Sequence, residues 1–248
     1  MIGLEWAIVA VGFLTAALSG VAGMGGGSIL MGVLLVLGVP PQEAVPLFAA
    51  VQLVSNTSRT AAYWSHVDGR ATGWFLLAAV PATLLTVQWA SHVEAGWVEL
   101  GLALLILSSL APAPSAWVRR MPARRMYVLA GFLNGTLGNI VGATGLFIGR
   151  LFLRPDWSRH TTVGTLALTQ MLGHGLRVVA FGFAGLSVLA RPALLLGLIV
   201  AVMLGTALGR WLNQRLDEAR FAQLTRGILI ALSLYLFVSA LWTLWTFN

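Results

Sequence analysis

The chain contains no cysteine and no lysine, and only 9% of its 248 residues are charged. Without cysteine there is no disulfide and no thiolate metal site. The four histidines, His66, His92, His160 and His174, lack metal-ligand spacing. Acids are scarce too. The eight are Glu5, Glu43, Asp68, Glu94, Glu99, Asp156, Asp217 and Glu218, and none falls in the middle of a long apolar run. Cation and proton carriers usually keep a carboxylate there, so a cation path is disfavoured. There is no Walker sequence and no Ser–His–Asp grouping, so neither ATP hydrolysis nor an enzyme is expected, and no cofactor. No stretch alternates with the period of two that a membrane barrel needs.

What the chain does have is apolar length. Hydrophobic residues make up 58%, and the mean hydropathy is +0.86. A soluble core of this size cannot bury that much apolar surface, so lipid must serve as part of the solvent. Backbone groups in lipid have to be satisfied internally, which selects helices. Glycine, proline and charge divide the sequence into ten segments: 4–22, 26–38, 43–65, 71–91, 96–113, 126–140, 144–153, 160–184, 191–211 and 221–246. Eight are long enough, or nearly so, to cross about 30 Å of hydrocarbon. The second and seventh are short. The expected fold is an all-α integral membrane protein with eight long transmembrane helices and two short, glycine-broken ones, either re-entrant or crossing.

All fifteen basic residues are arginines, and the formal net charge is +7. Most lie between apolar spans, so they read as topology signals rather than as a nucleic-acid surface. Arg119, Arg120, Arg124 and Arg125 mark the central loop as cytoplasmic. Counting outward places Arg70, Arg150, Arg154, Arg159, Arg210, Arg215, Arg220 and Arg226 inside as well, with Arg191 as the exception. Both termini then lie outside the cell membrane. The N-terminal stretch lacks the positive start of a signal peptide and carries Glu5 instead.

An offset of 118 residues brings similar features together. Gly20 falls on Gly138, Gly27 on Gly145, Val45 on Val163, Gln52 on Gln170 and Arg59 on Arg177. Gln and Arg are rare in spans, so these two matches weigh most. Each half follows one plan of long, short, long, long and long segments. With the topology above the halves are inverted: a first repeat at 1–115, an Arg-rich cytoplasmic linker at 116–125 and a second repeat at 126–248. In each half a long segment meets a short one at a glycine-rich joint, GMGGGS and GNIVGATG. Such joints beside a helix start are an anion-binding arrangement, and paired short segments in inverted repeats point to a transporter site. The alternative is close helix packing through small residues.

The third segment of each half carries polar residues on one face. Gln52, Ser55, Asn56 and Arg59 follow helical spacing, as do Gln170, His174 and Arg177, preceded by Thr165 and Thr169. Arg59 lies toward the cytoplasm and Arg177 toward the outside. The arginines could instead snorkel to headgroups, and the amides could serve as interhelical glue. Arginine, amide, hydroxyl and glycine N–H groups suit an oxyanion. The candidate binding residues are Gly25, Gly26, Gly27, Gln52, Asn56, Arg59, Thr144, Gln170, His174 and Arg177. The glycines and the backbone near Thr144 would bond the anion, and the amides would orient it. The arginines would supply positive potential on two access paths, and His174 would donate to the anion or take up a proton. Expected partners are a small anion, the bilayer and, as an option, a second copy of the chain, with no nucleic acid.

GVAGMGGGSILMGVLLVLGVPPQEAV in the first half and TTVGTLALTQMLGHGLRVVAFG in the second resemble the sulfite exporter TauE/SafE family of membrane permeases. The first is similar to the family's glycine-rich opening followed by a helix and a Gly-Val-Pro step, the second to its polar Gln–His–Arg segment. GNIVGATG departs from a repeated GxGGG, and AVPLFAAVQ stands where the family has an Ala-Thr-Ser step. The resemblance implies transport of a sulfur-containing oxyanion, such as sulfite, thiosulfate or an organosulfonate, without ATP. An anion or small-solute channel and a non-transporting membrane scaffold are the rival readings.

Overall fold

A computed structural model describes residues 2–22, 25–90, 92–111, 121–186, 188–213 and 218–246. The linker arginines Arg119 and Arg120, and Arg215, lie outside the described residues, as do the first joint's positions 23 and 24. Among the described residues ten helices follow in order: α1 (Ile2–Ala22), α2 (Gly26–Val36), α3 (Pro41–Ala62), α4 (Gly69–Ala90), α5 (Ala95–Leu110), α6 (Ala123–Val141), α7 (Gly145–Gly149), α8 (Arg159–Phe183), α9 (Pro192–Asn213) and α10 (Glu218–Thr246). Short 3₁₀ turns at Trp64–His66 and Arg150–Phe152 follow α3 and α7. No strand occurs among the described residues.

The helices begin and end where local chemistry tells them to. Pro41 opens α3 and Pro122 precedes α6, positions where a missing N–H costs nothing. Ser158 caps α8 by accepting from the Thr161 N–H at 3.0 Å. Asp68 holds the start of α4 by accepting from the Ala71 N–H, and its own N–H donates to Thr165 Oγ1 on α8. Gly25 before α2 and Gly142 after α6 have φ of 110° and 74°, backbone that favours glycine. Each glycine joint thus contains one turn that a side chain would strain.

Among the described residues, four helices are long and apolar enough to cross a membrane: α4, α8, α9 over Pro192–Gly209 and α10 over Ala222–Thr246. α3 and α6 have 22 and 19 residues, but more polar ones. α5 has 16, and α2 and α7 are shorter still. Large apolar side chains such as Leu77, Leu85, Leu196, Val238 and Trp242 point outward, as a lipid solvent allows.

Packing links the early helices to the late ones. α1 lies along α9, and α4 along α6; α3 pairs with α8, and α5 with α10. Glycines let the backbones meet. Cβ atoms at Gly131 and Gly135 on α6 would run into the Phe75 and Ala79 carbonyls of α4, and one at Gly205 on α9 into the Phe13 carbonyl of α1. One apolar core includes Ile8, Met31, Phe48, Leu102, Phe181 and Leu198; a smaller one gathers Phe75, Tyr127, Ile148 and Phe152.

Arg191, the exception to the charge pattern, has a local explanation. Its Nε stands 2.8 Å from Glu43 Oε2 at the start of α3. It is tied to an acid rather than left as a free topology signal.

Candidate functional site

α3 and α8 cross beside the two joints, and a cavity of about 70 Å³ lies between them. By the same measure a single water needs roughly 10–15 Å³, so the space suits a ligand of a few heavy atoms. Its walls include Gly25, Gly27 and Ser28 from the first joint, and Ala143, Thr144 and Gly145 from the second. Phe48, Gln52, Asn56 and Arg59 come from α3; Leu166, Gln170 and His174 come from α8. No carboxylate is among them.

Of the candidates read from sequence, Gly25, Gly27, Gln52, Asn56, Arg59, Thr144, Gln170 and His174 meet here. Gly26 is buried at the start of α2 but does not line the cavity. Arg177 is 1% exposed and also stands off the wall. It neither snorkels nor borders an open path. The access-path position expected for it is replaced by a buried one, because acceptors from α6 reach it first.

Those acceptors form a closed set. Arg177 Nε donates to Asn139 Oδ1 at 3.3 Å, and Nη1 to the Gly142 carbonyl at 3.1 Å. Nη2 donates to the Asn134 carbonyl at 3.2 Å and reaches Asn134 Oδ1 at 3.5 Å. Nη1 also lies 3.2 Å from His174 Nδ1. Gly138 leaves room for this group: a Cβ there would collide with the guanidinium. Among the described residues no carboxylate pairs with Arg177.

A guanidinium only donates, and that fact orders the cavity. His174 Nδ1 must accept, so the ring proton belongs on Nε2, by inference from the network. Asn134 must turn its oxygen to Arg177, which sends Nδ2 the other way. Nδ2 donates to Thr144 Oγ1 at 3.2 Å and Gln170 Oε1 at 3.4 Å. With Oε1 so engaged, Gln170 Nε2 is left buried without a hydrogen-bond partner. An orphaned buried donor costs about 1–3 kcal/mol, and a ligand oxygen would relieve it. Phe48 packs its ring edge-on against His174, centroids 5.7 Å apart, and narrows the site on the α3 side.

Each joint lies against a glutamine, the first more tightly. A Cβ at Gly27 would stand 2.6 Å from Gln52 Nε2, and one at Gly145 would stand 3.5 Å from Gln170 Oε1. The Asn56 amide nitrogen donates to the Gln52 carbonyl of its own helix at 2.9 Å.

Asn134 and Asn139 are the site residues that sequence reading missed. Both are 1% exposed. Asn139 Nδ2 extends the network to α4 through the Thr83 carbonyl and Thr86 Oγ1. Their signal was present: two asparagines in the apolar segment 126–140 demand partners in a bilayer. They have no polar match 118 residues earlier, where Ala16 and Val21 stand, so a search by repeat passes over them.

The family model for the sulfite exporter TauE/SafE matches residues 8–236. Among curated proteins, the chain is 24% identical over 226 residues to the probable membrane transporter protein YjnA of Bacillus subtilis (strain 168). That match covers 81% of this chain and 89% of the relative. No solved structure matches it. With helices of membrane-crossing length around a small, acid-free, donor-lined cavity, the chain belongs to the sulfite exporter TauE/SafE family, a family of membrane transporters.

Proposed function

We propose that the chain carries a small sulfur-containing oxyanion across the cell membrane, binding it in the cavity between α3 and α8. The observation that carries this reading is the unpartnered Gln170 Nε2 in a cavity without carboxylates. The description of the matched family, sulfite exporter, supports the choice of a sulfur oxyanion. Gln170 Nε2 and His174 Nε2–H donate to the anion, with Gln52, Asn56 and the joint backbones at Gly25, Gly27 and Thr144 around it. Arg177 acts one layer back: it supplies buried positive charge and aims both donors. Arg59 supplies charge at the cavity wall. His174 serves as a donor rather than a proton carrier, because protonating Nδ1 would break its contact with Arg177.

The carrier works as two inverted repeats, 1–115 and 126–248, with eight crossing helices and both termini outside. The packing supports this plan. α1 with α9 and α4 with α6 exchange under the 118-residue offset, while α3 with α8 and α5 with α10 map onto themselves. Rocking one repeat against the other would open the cavity to alternate sides.

The test is thermal unfolding of the detergent-purified protein with sulfite, thiosulfate, an organosulfonate, sulfate, chloride and acetate at equal ionic strength. Ligands that bind only the folded state raise stability by mass action. A shift for sulfur oxyanions that vanishes in Gln170→Leu is expected, together with saturable flux in proteoliposomes. A shift that survives Gln170→Leu unchanged overturns the site, and non-saturating flux overturns the carrier.

A further inference from the structure

Two outward-facing grooves run between paired helices. One, of about 710 Å³, lies between α1 and α9 and is wholly apolar. The other, of about 670 Å³, lies between α4 and α6. The α1 wall presents Trp6, Ala10 and Leu14; 118 residues later, the α6 wall presents Arg124, Val128 and Phe132. The second groove therefore has an apolar floor like the first but a basic end, since Arg125 joins Arg124 there.

Those two arginines sit where a helix does not want cations. They occupy the first turn of α6, next to Pro122, and a helix N-terminus is itself partly positive. Both are exposed, and among the described residues neither pairs with a carboxylate. Arg124 is held in place, its guanidinium carbon 3.9 Å from the centre of the Trp74 ring. From Arg125 to Phe132 the helix rises about 10 Å, enough to lay the upper part of an acyl chain along Val128 and Phe132.

We infer that the α4–α6 groove is a binding site for an anionic diacyl phospholipid. The phosphate is held by Arg124, Arg125 and the start of α6, and an acyl chain lies over Ala78, Val128 and Phe132. A single amphipathic occupant satisfies both ends of the groove, the uncompensated charge and the exposed apolar wall. A zwitterionic lipid brings the same phosphate together with its own cation, so its zero net charge leaves the two arginines uncompensated. Basic pockets beside membrane helices hold anionic headgroups on this principle. The α1–α9 groove, with Trp6 in the place of Arg124, takes acyl chains without regard to headgroup.

The experiment is native mass spectrometry and thermal unfolding of the full chain in a neutral detergent, titrated with dioleoyl phosphatidylglycerol or dioleoyl phosphatidylcholine. The expected result is tighter retention of phosphatidylglycerol and a larger rise in Tm than with phosphatidylcholine. Arg124→Gln/Arg125→Gln should weaken retention about 30-fold, from two charges near a headgroup. Val128→Trp, which fills the groove and keeps both arginines, should weaken it too; Arg226→Gln should not. Equal response to the two lipids overturns the inference. So does an equal rise with soluble glycerophosphate, which would mean an anion site without a lipid. A lipid-free dimer broken by Val128→Trp would assign the groove to a second copy instead.

Discussion

Arg59 and Arg177 stand at matching places in the two halves, yet they have become different groups. Arg177 is sealed in, with Asn134, Asn139 and the Gly142 carbonyl around it. Arg59 lies half-buried on the cavity wall. Arg177 faces α6, which brings Asn134 and Asn139 to it; the positions 118 residues earlier, Ala16 and Val21, are apolar. Two asparagines convert a membrane arginine from a surface charge into a fixed part of the frame. A buried cation without a carboxylate is tolerable only if its donors find acceptors, and α6, the Gly142 carbonyl after it and His174 Nδ1 provide them. On the proposed reading, one of two residues matched in sequence serves the ligand and the other the architecture.

The largest expected effect is on stability. Arg177→Ala should cost about 3 kcal/mol or more, since it empties a buried volume and strands polar partners. Arg59→Ala should stay within about 1 kcal/mol, while weakening sulfur-oxyanion binding. Denaturant unfolding of both variants in one detergent measures this, and equal losses would erase the contrast. Gly138→Ala comes next, at about 2 kcal/mol, because its Cβ has to displace the guanidinium. Gly73→Ala on α4, with nothing within 4 Å of its Cβ, should be neutral or stabilising by about 0.5 kcal/mol.

A subtler comparison concerns the joints. Gly27→Ala pushes into Gln52 Nε2, the free end of a flexible side chain, so it should leave unfolding nearly unchanged and weaken anion binding about tenfold. Gly145→Ala meets Gln170 at ordinary contact distance and should leave binding within about twofold. Differences of that size correspond to one hydrogen bond or less, and thermal-shift titrations with sulfite resolve them.

The smallest effect belongs to a loop outside the helices. Arg154 donates to both oxygens of Asp156, at 2.8 and 2.7 Å, and holds that carboxyl below its usual range. The sign follows from linkage. A carboxyl with a depressed folded pKa adds stability above its unfolded pKa and loses it as pH falls through the folded one. Asp156 is exposed, so solvent screens the pair. Asp156→Asn should flatten the acid side of the stability profile slightly and leave transport at neutral pH unchanged.

Much of this molecule was legible in its residues. Glycine, proline and arginine punctuate apolar runs, and all ten helices fall within a few residues of the segments they delimit. The physical reason is that lipid leaves the backbone few options, so hydropathy and breakers nearly suffice. The polar faces of α3 and α8 were legible too, since helical spacing is local. Whether a side chain on such a face meets the cavity or lies behind it depends on the opposing helix, which spacing does not report. That is why Arg177 read as a counterpart of Arg59 and proved buried. The roles of Asn134 and Asn139 were equally hidden, because their meaning lies in contacts with residues some forty or fifty positions away. Sequence alone set the helices, their breaks and their polar stripes. Only the tertiary structure, through the one-way donation of a buried guanidinium, decided which donors are left facing the cavity.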